Sequence, residues 1–255
     1  MIAITIGINP LYKALASLSA KCIQETTGLD TLILTEKELK QSELVHPAAL
    51  KLKIFDFVND NTVLFFDADW FSINNWNPNI YENNEAIIGC HDFILADDWT
   101  EQYETNNISN SEEYFNDVSL LSHRKNTRTD YIEEIERFNS TTKSFSKWIN
   151  TGFWIANKTN HAKWLMDSLE LYDGFPGHHP QYYEQPAMNK AIDNTNPKIQ
   201  YLSRKFNTLV ATRTKWPNFL IGLHVKIKHN KTFSDLVMQK KITSVAQVRD
   251  YFLND

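Results

Sequence analysis

The stretch LFFDADWF at residues 64–71 places three apolar side chains directly before two aspartates that stand one residue apart. Side chains in a strand alternate between its two faces, so Asp67 and Asp69 are expected to point the same way. Two carboxylates this close repel each other unless a cation or a proton joins them. A hard divalent ion is the simplest partner, because such ions take oxygen ligands and keep positions for water and substrate phosphates. The stretch therefore predicts a metal site at the end of a buried strand.

A D-x-D triplet also occurs in solvated turns, and the elements that precede this one favour the metal site. An apolar strand at residues 2–8, a helix capped by Asn9 and a second strand at 31–35 form a β-α-β opening. Such an opening predicts parallel strands that are joined by a right-handed crossover. A helix from Pro47 leads into the strand at 62–69, which places both aspartates at the carboxyl end of that strand. Ligands bind at this edge of open α/β sheets.

The remainder of the chain continues the alternation of strands and helices, so we expect one α/β domain over residues 1–255, with a central, mostly parallel sheet flanked by helices. The further predicted elements, in chain order, are strands at 86–92 and 148–157, a helix with the apolar stripe Ala162, Leu165, Met166, Leu169 and Tyr172, a helix at 184–192, strands at 198–202 and 219–225, and two closing helices with capping boxes at Thr232/Asp235 and Ser244/Gln247.

Residues 97–147 differ from the rest in composition, because they are rich in Asn, Ser, Thr and Glu. Two short helix-like stretches occur within them, at 111–121 and 129–138. This segment is either a solvated surface insertion or a mobile lid or acceptor-binding segment, and the sequence leaves both open.

Charge and composition limit the partners of the chain. Its 26 basic and 31 acidic residues give a net charge of -5, and no run of like charge forms a stripe, so no nucleic acid partner is expected. No window of about 18 apolar residues predicts a transmembrane segment. Residues 1–10 resemble a first strand and not a signal peptide. The two cysteines, Cys22 and Cys90, fit a reducing compartment, although the sequence leaves one disulfide between them open. The predicted location is the cytoplasm or the periphery of a membrane.

Several motifs resemble those of nucleotide-sugar-dependent glycosyltransferases of the GT-A fold. The strand that ends in Asp67-Ala-Asp69 follows the lysine-bearing segment HPAALKLKIFDFV. Further matches follow in the expected order: Asn150-Thr151-Gly152, Glu184-Gln185 with Asn189, Phe206-Asn207, and His224. The series is similar to the retaining branch that includes glycogenin and the bacterial lipopolysaccharide galactosyltransferases, and it covers about residues 1–93 and 148–232.

The resemblance implies a metal-dependent hexosyltransferase that moves a sugar from a nucleotide-sugar donor, such as a UDP-sugar, to a hydroxyl of a glycan or other acceptor. Residues 1–93 would form the nucleotide- and metal-binding half, residues 148–232 the acceptor and catalytic half, and residues 233–255 the C-terminal helices. The implied ligands of Mn²⁺ or Mg²⁺ are Asp67, Asp69 and His224, with His229 as the fallback. The implied nucleotide-binding residues are Thr5, Gly7, Tyr12, Asp67, Lys231 and either Lys51 or Lys53.

The implied substrate-binding residues are Asn150, Thr151, Gly152 and Asn189. In the alternative, Met188 and Ile192 are the buried pair of that helix and the amides of Gln185 and Asn189 face solvent. An amide at Gln185 beside the anomeric carbon fits retention of configuration, whereas inversion would need a carboxylate base. The candidates for that base are Asp92, Asp97 and Glu184.

The sequence departs from the family at two places. His224 is followed by Val-Lys-Ile-Lys, where the retaining branch often has a glycine and a Lys-Pro-Trp group, and Glu184 replaces the usual aspartate. Two other classes stay open: a haloacid dehalogenase-type phosphatase with Asp67 as nucleophile, and a non-catalytic carbohydrate-binding protein that uses tryptophans. Those tryptophans are Trp70, Trp148, Trp154 and Trp216, which are equally expected to lie in the core.

Overall fold

The computed structural model describes residues 1–44, 46–92, 148–173, 184–210, 216 and 218–253. The predicted insertion at 97–147, with its stretches at 111–121 and 129–138 and the candidate base Asp97, lies outside these residues. The strands of the described residues are β1 Ile2–Ile6, β2 Thr31–Leu34, β3 Thr62–Phe66, β4 Trp70–Ser72, β5 Ile87–His91, β6 Ile149–Asn157, β7 Ile199–Tyr201, β8 Thr208–Val210 and β9 Gly222–Val225. The α-helices are α1 Pro10–Thr27, α2 Glu36–Ser42, α3 Lys158–Asp173, α4 Gln185–Thr195, α5 Lys231–Met238 and α6 Val245–Phe252, and 3₁₀ segments lie at Pro47–Asp56, Pro78–Tyr81, Arg204–Phe206 and Ile227–His229.

A six-stranded sheet in the order β2-β1-β3-β6-β5-β7 forms the centre of the fold. β1 is parallel to β2 and β3, β5 is parallel to β7, and β6 is antiparallel to both of its neighbours, β3 and β5. The predicted mostly parallel α/β sheet is therefore confirmed. Because β6 runs in the opposite direction, its first residues lie at the same edge of the sheet as the carboxyl ends of β3 and β5.

A second, three-stranded sheet has the order β4-β9-β8. Its first strand follows the carboxyl end of β3. β4 follows β3 after a short turn and pairs antiparallel with β9, which in turn pairs parallel with β8. Late residues of the chain are thereby brought next to the aspartates that follow β3.

The β-α-β opening forms as the local sequence predicts. The side chain of Asn9 accepts the N–H of Tyr12 at the start of α1, and Gly28 ends the helix with φ 73°. Gly7 allows α1 to pack closely on the sheet, because a Cβ there would lie 3.0 Å from the Cβ of Ala16. Buried residues of α1 then cover this face of the sheet, among them Leu15, Leu18, Cys22 and Ile23.

Large aromatic side chains fill the core on both faces of the sheet. Trp70, Trp148, Trp154 and Trp216 are all at most 2% exposed, so these tryptophans are core residues. Burial of each large apolar side chain stabilises the fold by about 1.5–3 kcal/mol. Cys22 and Cys90 are free and buried, so the disulfide that the sequence left open does not form.

The strand predicted at 62–69 is shorter than expected, because it ends at Phe66. The carbonyl of Asp67 accepts the N–H of Trp70 at 2.9 Å, and this turn replaces the last part of the predicted strand. The two aspartates therefore converge through a turn and not through strand alternation. The strand predicted at 219–225 likewise begins only at Gly222.

Three predictions about helices were wrong. The segment after Pro47 is a 3₁₀ segment and not an α-helix, and its residue Lys53 has non-helical φ/ψ. α5 begins at Lys231, so Thr232 is not its cap, and Asn230 before it makes no side-chain capping bond. Met166 is 68% exposed and lies outside the buried stripe of α3.

The second predicted capping box is confirmed only in its first half: Ser244 accepts the N–H of Gln247 at the start of α6, but the side chain of Gln247 accepts the backbone N–H of Thr243 and not that of Ser244. Among the described residues, no helix has the length and apolar character that a membrane span requires.

Candidate functional site

Backbone hydrogen bonds bring three predicted metal ligands together at the carboxyl edge of the large sheet. The N–H of Asp67 donates to the carbonyl of Gly152 in β6 at 2.8 Å. The N–H of Val225 in β9 donates to the carbonyl of Asp69 at 2.8 Å, and His224 pairs with Trp70 across the small sheet. The positions of both aspartates and of His224 are thus fixed by the two sheets.

One side-chain atom from each of Asp67, Asp69 and His224 lies within 4.8 Å of the others, which makes this a cluster able to hold a metal ion. His224 Nε2 is 3.4 Å from Asp69 Oδ1 and 3.8 Å from Asp67 Oδ2. Burial raises the pKa of the Asp69 carboxyl, but the charge and hydrogen bond of His224 and the charge of Lys226 outweigh it, so the pKa is lowered. Two carboxylates and one imidazole suit a divalent cation such as Mn²⁺, and they leave ligand positions for other oxygens.

Because Gly152 has no side chain, the cluster can occupy the space next to it. A Cβ at this position would lie 2.5 Å from His224 Cε1 and 2.7 Å from Asp67 Oδ2. Any larger residue would have to push these two side chains away. The tight space fits a site assembled around Asp67 and His224.

Lys51 lies beneath the cluster and is buried against the ring of Phe65. Its ammonium is 2.5 Å from the carboxylate of Glu184, 3.1 Å from Asp67 Oδ1 and 3.3 Å from the carbonyl oxygen of Thr151. Burial alone would lower the pKa of Lys51, but the carboxylates of Asp67 and Glu184 raise it to about 12, so the ammonium stays charged at neutral pH. Burial raises the pKa of the Glu184 carboxyl, and the nearby Lys51 charge opposes that rise.

The polar contacts continue from Glu184 to Asp92. The hydroxyl of Thr151 lies 3.3 Å from Glu184 Oε1 and 3.1 Å from Gln185 Oε1, which also accepts the N–H of Thr151. The amide nitrogen of Gln185 donates to Asp92 Oδ2 at 2.6 Å. Thr151, Glu184, Gln185 and Asp92 therefore form one connected group beside the metal cluster.

Asn150 and Asn189 support the start of β6. Asn150 Oδ1 accepts the N–H of Gly152 at 3.1 Å and an amide hydrogen of Asn207 at 2.9 Å. Asn189 is fully buried, accepts the N–H of Ile149 at 2.8 Å and donates to its carbonyl at 2.9 Å. The alternative in which the helix amides face solvent was therefore wrong for Asn189, although Met188 and Ile192 are buried as that alternative expected.

The other predicted binding residues lie on or next to β1, at the start of α1 and after β9. Thr5 is fully buried in β1, and Gly7 packs against α1. Tyr12 is 39% exposed on the first turn of α1. Lys231 and the fallback ligand His229 are exposed, and His229 is not one of the residues whose ligand atoms converge.

Two residues of the site were not among the predicted site residues. Asn207 bonds to Asn150, and its position after Phe206 in the ordered motifs was the signal that could have indicated it. The charge of Lys226 helps to lower the pKa of Asp69, and its signal was the Val-Lys-Ile-Lys run after His224.

The fold is that of known glycosyltransferases. No protein-family model matches the chain, and no curated protein matches it in sequence. The galactosyltransferase LgtC, solved with donor and acceptor sugar analogues, has a TM-score of 0.52 and 9% identity, over 94% of this chain and 96% of LgtC. An active-site glutamine-to-glutamate variant of LgtC gives 0.51 and 10% identity, over 96% and 97% of the two chains. The glycosyltransferase GlyE of Streptococcus pneumoniae TIGR4 gives 0.53 and 9% identity, over 98% of this chain but only 62% of GlyE.

The chain thus has the GT-A glycosyltransferase fold, as its motifs predicted. Identities of 9–10% establish the architecture alone, so the activity is argued from the site.

Proposed function

We propose that the protein is a metal-dependent glycosyltransferase that moves a sugar from a UDP-sugar to a hydroxyl of a glycan or other acceptor, with retention of configuration. The observation that carries this proposal is the Asp67, Asp69 and His224 cluster at the ligand-binding edge of a GT-A fold. A bound Mn²⁺ or Mg²⁺ would supply positive charge to the diphosphate that departs when the glycosidic bond breaks.

Residues around the cluster would hold the donor. Lys226 and Lys231 follow β9 and would add positive charge near the diphosphate. The first β-α turn, with Thr5, Gly7 and the exposed ring of Tyr12, would receive the nucleotide base. Asn150 and the backbone at Gly152 would lie beside the sugar.

The polar group beside the cluster supports retention. The amide of Gln185 is held in one orientation by Thr151 and Asp92, and an amide can stabilise positive charge at the anomeric carbon without acting as a strong base. LgtC, which shares this fold, has an active-site glutamine, and this motivates Gln185 as the candidate catalytic amide. Glu184 is buried in an ion pair with Lys51, which does not suit a base that must exchange its proton with solvent. Asp92, the remaining described candidate for such a base, is also buried and accepts the amide of Gln185.

A thermal-shift experiment with a panel of nucleotide sugars tests the proposal. Uridine donors should raise the melting temperature only when Mn²⁺ is present, because a ligand at 100 times its dissociation constant stabilises by about 2.7 kcal/mol. Asp69→Asn removes one charged metal ligand and should lose the metal-dependent shift while the metal-free melting temperature changes little. Release of UDP with an acceptor, followed by NMR of the product anomer, then checks transfer and retention. No shift with any nucleotide sugar would overturn the proposal.

Two further assays on the same protein test the two other classes. Nothing in the described residues favours the phosphatase, whose signature would be release of phosphate from p-nitrophenyl phosphate that Asp67→Asn abolishes. A carbohydrate-binding protein would bind sugar without metal-dependent release of nucleotide. Its expected tryptophan platforms are buried, which counts against that class.

A further inference from the structure

The contacts of Lys51 leave its ammonium without a free donor. A lysine has three N–H donors and no acceptor. Three acceptor oxygens surround Lys51 Nζ: Glu184 at 2.5 Å, Asp67 Oδ1 at 3.1 Å and the carbonyl of Thr151 at 3.3 Å. The side chain is only 4% exposed, and an aromatic ring closes the site 4.8 Å from the nitrogen. A lysine that binds a diphosphate needs at least one donor directed at the ligand, and Lys51 offers none.

The two oxygens of Asp67 have different surroundings. Oδ1 accepts from Lys51, whereas Oδ2 lies 3.8 Å from His224 Nε2 and packs closely against Gly152. The contact with Lys51 thus fixes the rotation of the carboxylate and directs Oδ2 into the cluster. Lys51 also ties Asp67 to Glu184, so the metal ligand is linked to the amino end of α4.

We infer that Lys51 is a positioning residue, which holds Asp67 so that only Oδ2 faces the metal, and that it is not a ligand of the diphosphate. The inference deepens the proposed function and rests on it for the identity of the site. It changes the role that the sequence resemblance implied for Lys51. It also explains why a charged lysine is tolerated in the core, since its charge is balanced by two carboxylates.

Substitution of Lys51 alone would leave Glu184 as an unpaired buried carboxylate, which threatens the fold. The test therefore compares two variants, Glu184→Gln and the double variant Lys51→Met with Glu184→Gln. The double variant removes one positive and one negative charge, so the net charge of the pair stays the same as in the wild type. Mn²⁺ affinity is measured by electron paramagnetic resonance in the absence of nucleotide.

An effect of charge alone and a positioning role predict opposite changes in Mn²⁺ affinity when Lys51→Met is added to Glu184→Gln. That step removes a positive charge near the cluster, so electrostatics alone would tighten Mn²⁺ binding. Loss of a group that orients a metal ligand weakens it instead, typically by 10–100-fold. We expect the double variant to bind Mn²⁺ at least about tenfold more weakly than Glu184→Gln. Equal or tighter binding would overturn the inference.

A second readout separates positioning from phosphate binding. Because a positioning defect acts through the metal, raising Mn²⁺ to saturation should restore the UDP affinity of the double variant to that of Glu184→Gln. A tenfold loss of UDP affinity that persists at saturating Mn²⁺ would identify Lys51 as a phosphate ligand and refute the inference. The matched control is the exposed ion pair of Lys198 with Glu85, 2.6 Å apart. Its double variant, Lys198→Met with Glu85→Gln, should leave Mn²⁺ affinity unchanged.

The outcomes for the inference and for the proposed function are distinct. If the wild type binds Mn²⁺ and the double variant binds it more weakly than Glu184→Gln, but the wild type neither binds UDP nor transfers sugar, the positioning role is supported and the transferase is refuted. If the wild type transfers sugar while the double variant keeps full Mn²⁺ affinity, the transferase is supported and the positioning role is refuted. Failure of the wild type to bind Mn²⁺ would refute both.

Discussion

At the residue scale, Gly152 is required by space and not by its backbone conformation, which lies outside the left-handed region. A methyl group there would overlap His224 Cε1 and Asp67 Oδ2, the atoms that define the metal cluster. We predict that Gly152→Ala weakens Mn²⁺ binding by at least about tenfold, because both ligands must move apart. Mn²⁺ titration followed by electron paramagnetic resonance measures the effect, and circular dichroism verifies that the variant is folded.

Gly89→Ala is the matched control for this substitution. Gly89 lies in β5, and a Cβ there would meet Ile149 Cγ2 at 3.3 Å, which is also a tight contact. Both variants are expected to lose some stability, but Gly89→Ala should keep its Mn²⁺ affinity. If the two variants lose Mn²⁺ affinity equally, the effect comes from general distortion of the sheet and the role assigned to Gly152 is wrong.

At the element scale, one buried amide ties the start of β6 to α4. Asn189 in α4 bonds both the N–H and the carbonyl of Ile149, so it continues the hydrogen bonding of the strand where β6 begins. We predict that Asn189→Ala lowers the free energy of unfolding by about 2–3 kcal/mol, because two buried backbone groups lose their partner. Urea denaturation measures the change.

Asn75→Ala provides the comparison for Asn189→Ala, since Asn75 is exposed. A surface substitution of this kind changes stability by less than about 0.5 kcal/mol. Similar losses for both variants would mean that the amide of Asn189 contributes nothing specific. A large loss for Asn189→Ala alone supports its role in fixing the strand that carries Thr151 and Gly152.

The longer elements were predictable from the sequence because their own residues carry the signal. The β-α-β opening has strong strand patterns, a cap at Asn9 and a stop at Gly28, and all of these are found. β4 and β8 were missed because each is three residues long and is defined by its pairing with β9, whereas β7, also three residues long, lies within the predicted strand at 198–202. α2, with seven residues, was missed although Thr35 and Glu38 form a capping box at its start.

The candidate site was predictable only where neighbouring residues mark it in the sequence. Asp67 and Asp69 could be recognised from the strand that precedes them, but the resemblance to a family was needed to pair them with His224. The contact of Lys51 with Glu184 could not be predicted, because it depends on the geometry of a 3₁₀ segment and on a helix far away in the chain. Residue spacing carries no information on such a contact.

At the scale of the whole molecule, one buried histidine connects separate parts of the fold and makes its stability depend on pH. His161 in α3 accepts the backbone N–H of Asn157 through Nδ1 at 2.9 Å. Its Nε2 lies 3.1 Å from the carbonyl of Glu85 and must carry the proton, since Nδ1 is the acceptor. The neutral ring therefore joins the end of β6 to the segment before β5, and protonation of Nδ1 would break one of these bonds.

Burial lowers the pKa of His161 below its ordinary value of 6.5, and the hydrogen bond to Glu85 opposes this only in part. Below pH 6.5 the unfolded chain therefore binds a proton at this residue more readily than the folded chain does. The stability that His161 contributes is complete above about pH 6.5 and is lost as the pH falls through the folded pKa. Each of its two bonds contributes about 1 kcal/mol when the ring is neutral.

His161→Gln isolates this contribution from those of the other titrating groups, because an amide does not titrate in this range. We predict that wild-type protein is more stable than the variant at pH 7.5 and that the difference shrinks steadily between pH 6.5 and pH 5. Urea denaturation of both proteins at each pH measures the difference, in which contributions shared by the two proteins cancel. A difference that stays constant with pH would show that His161 is held equally well in both protonation states, contrary to the hydrogen bond from Asn157 to Nδ1.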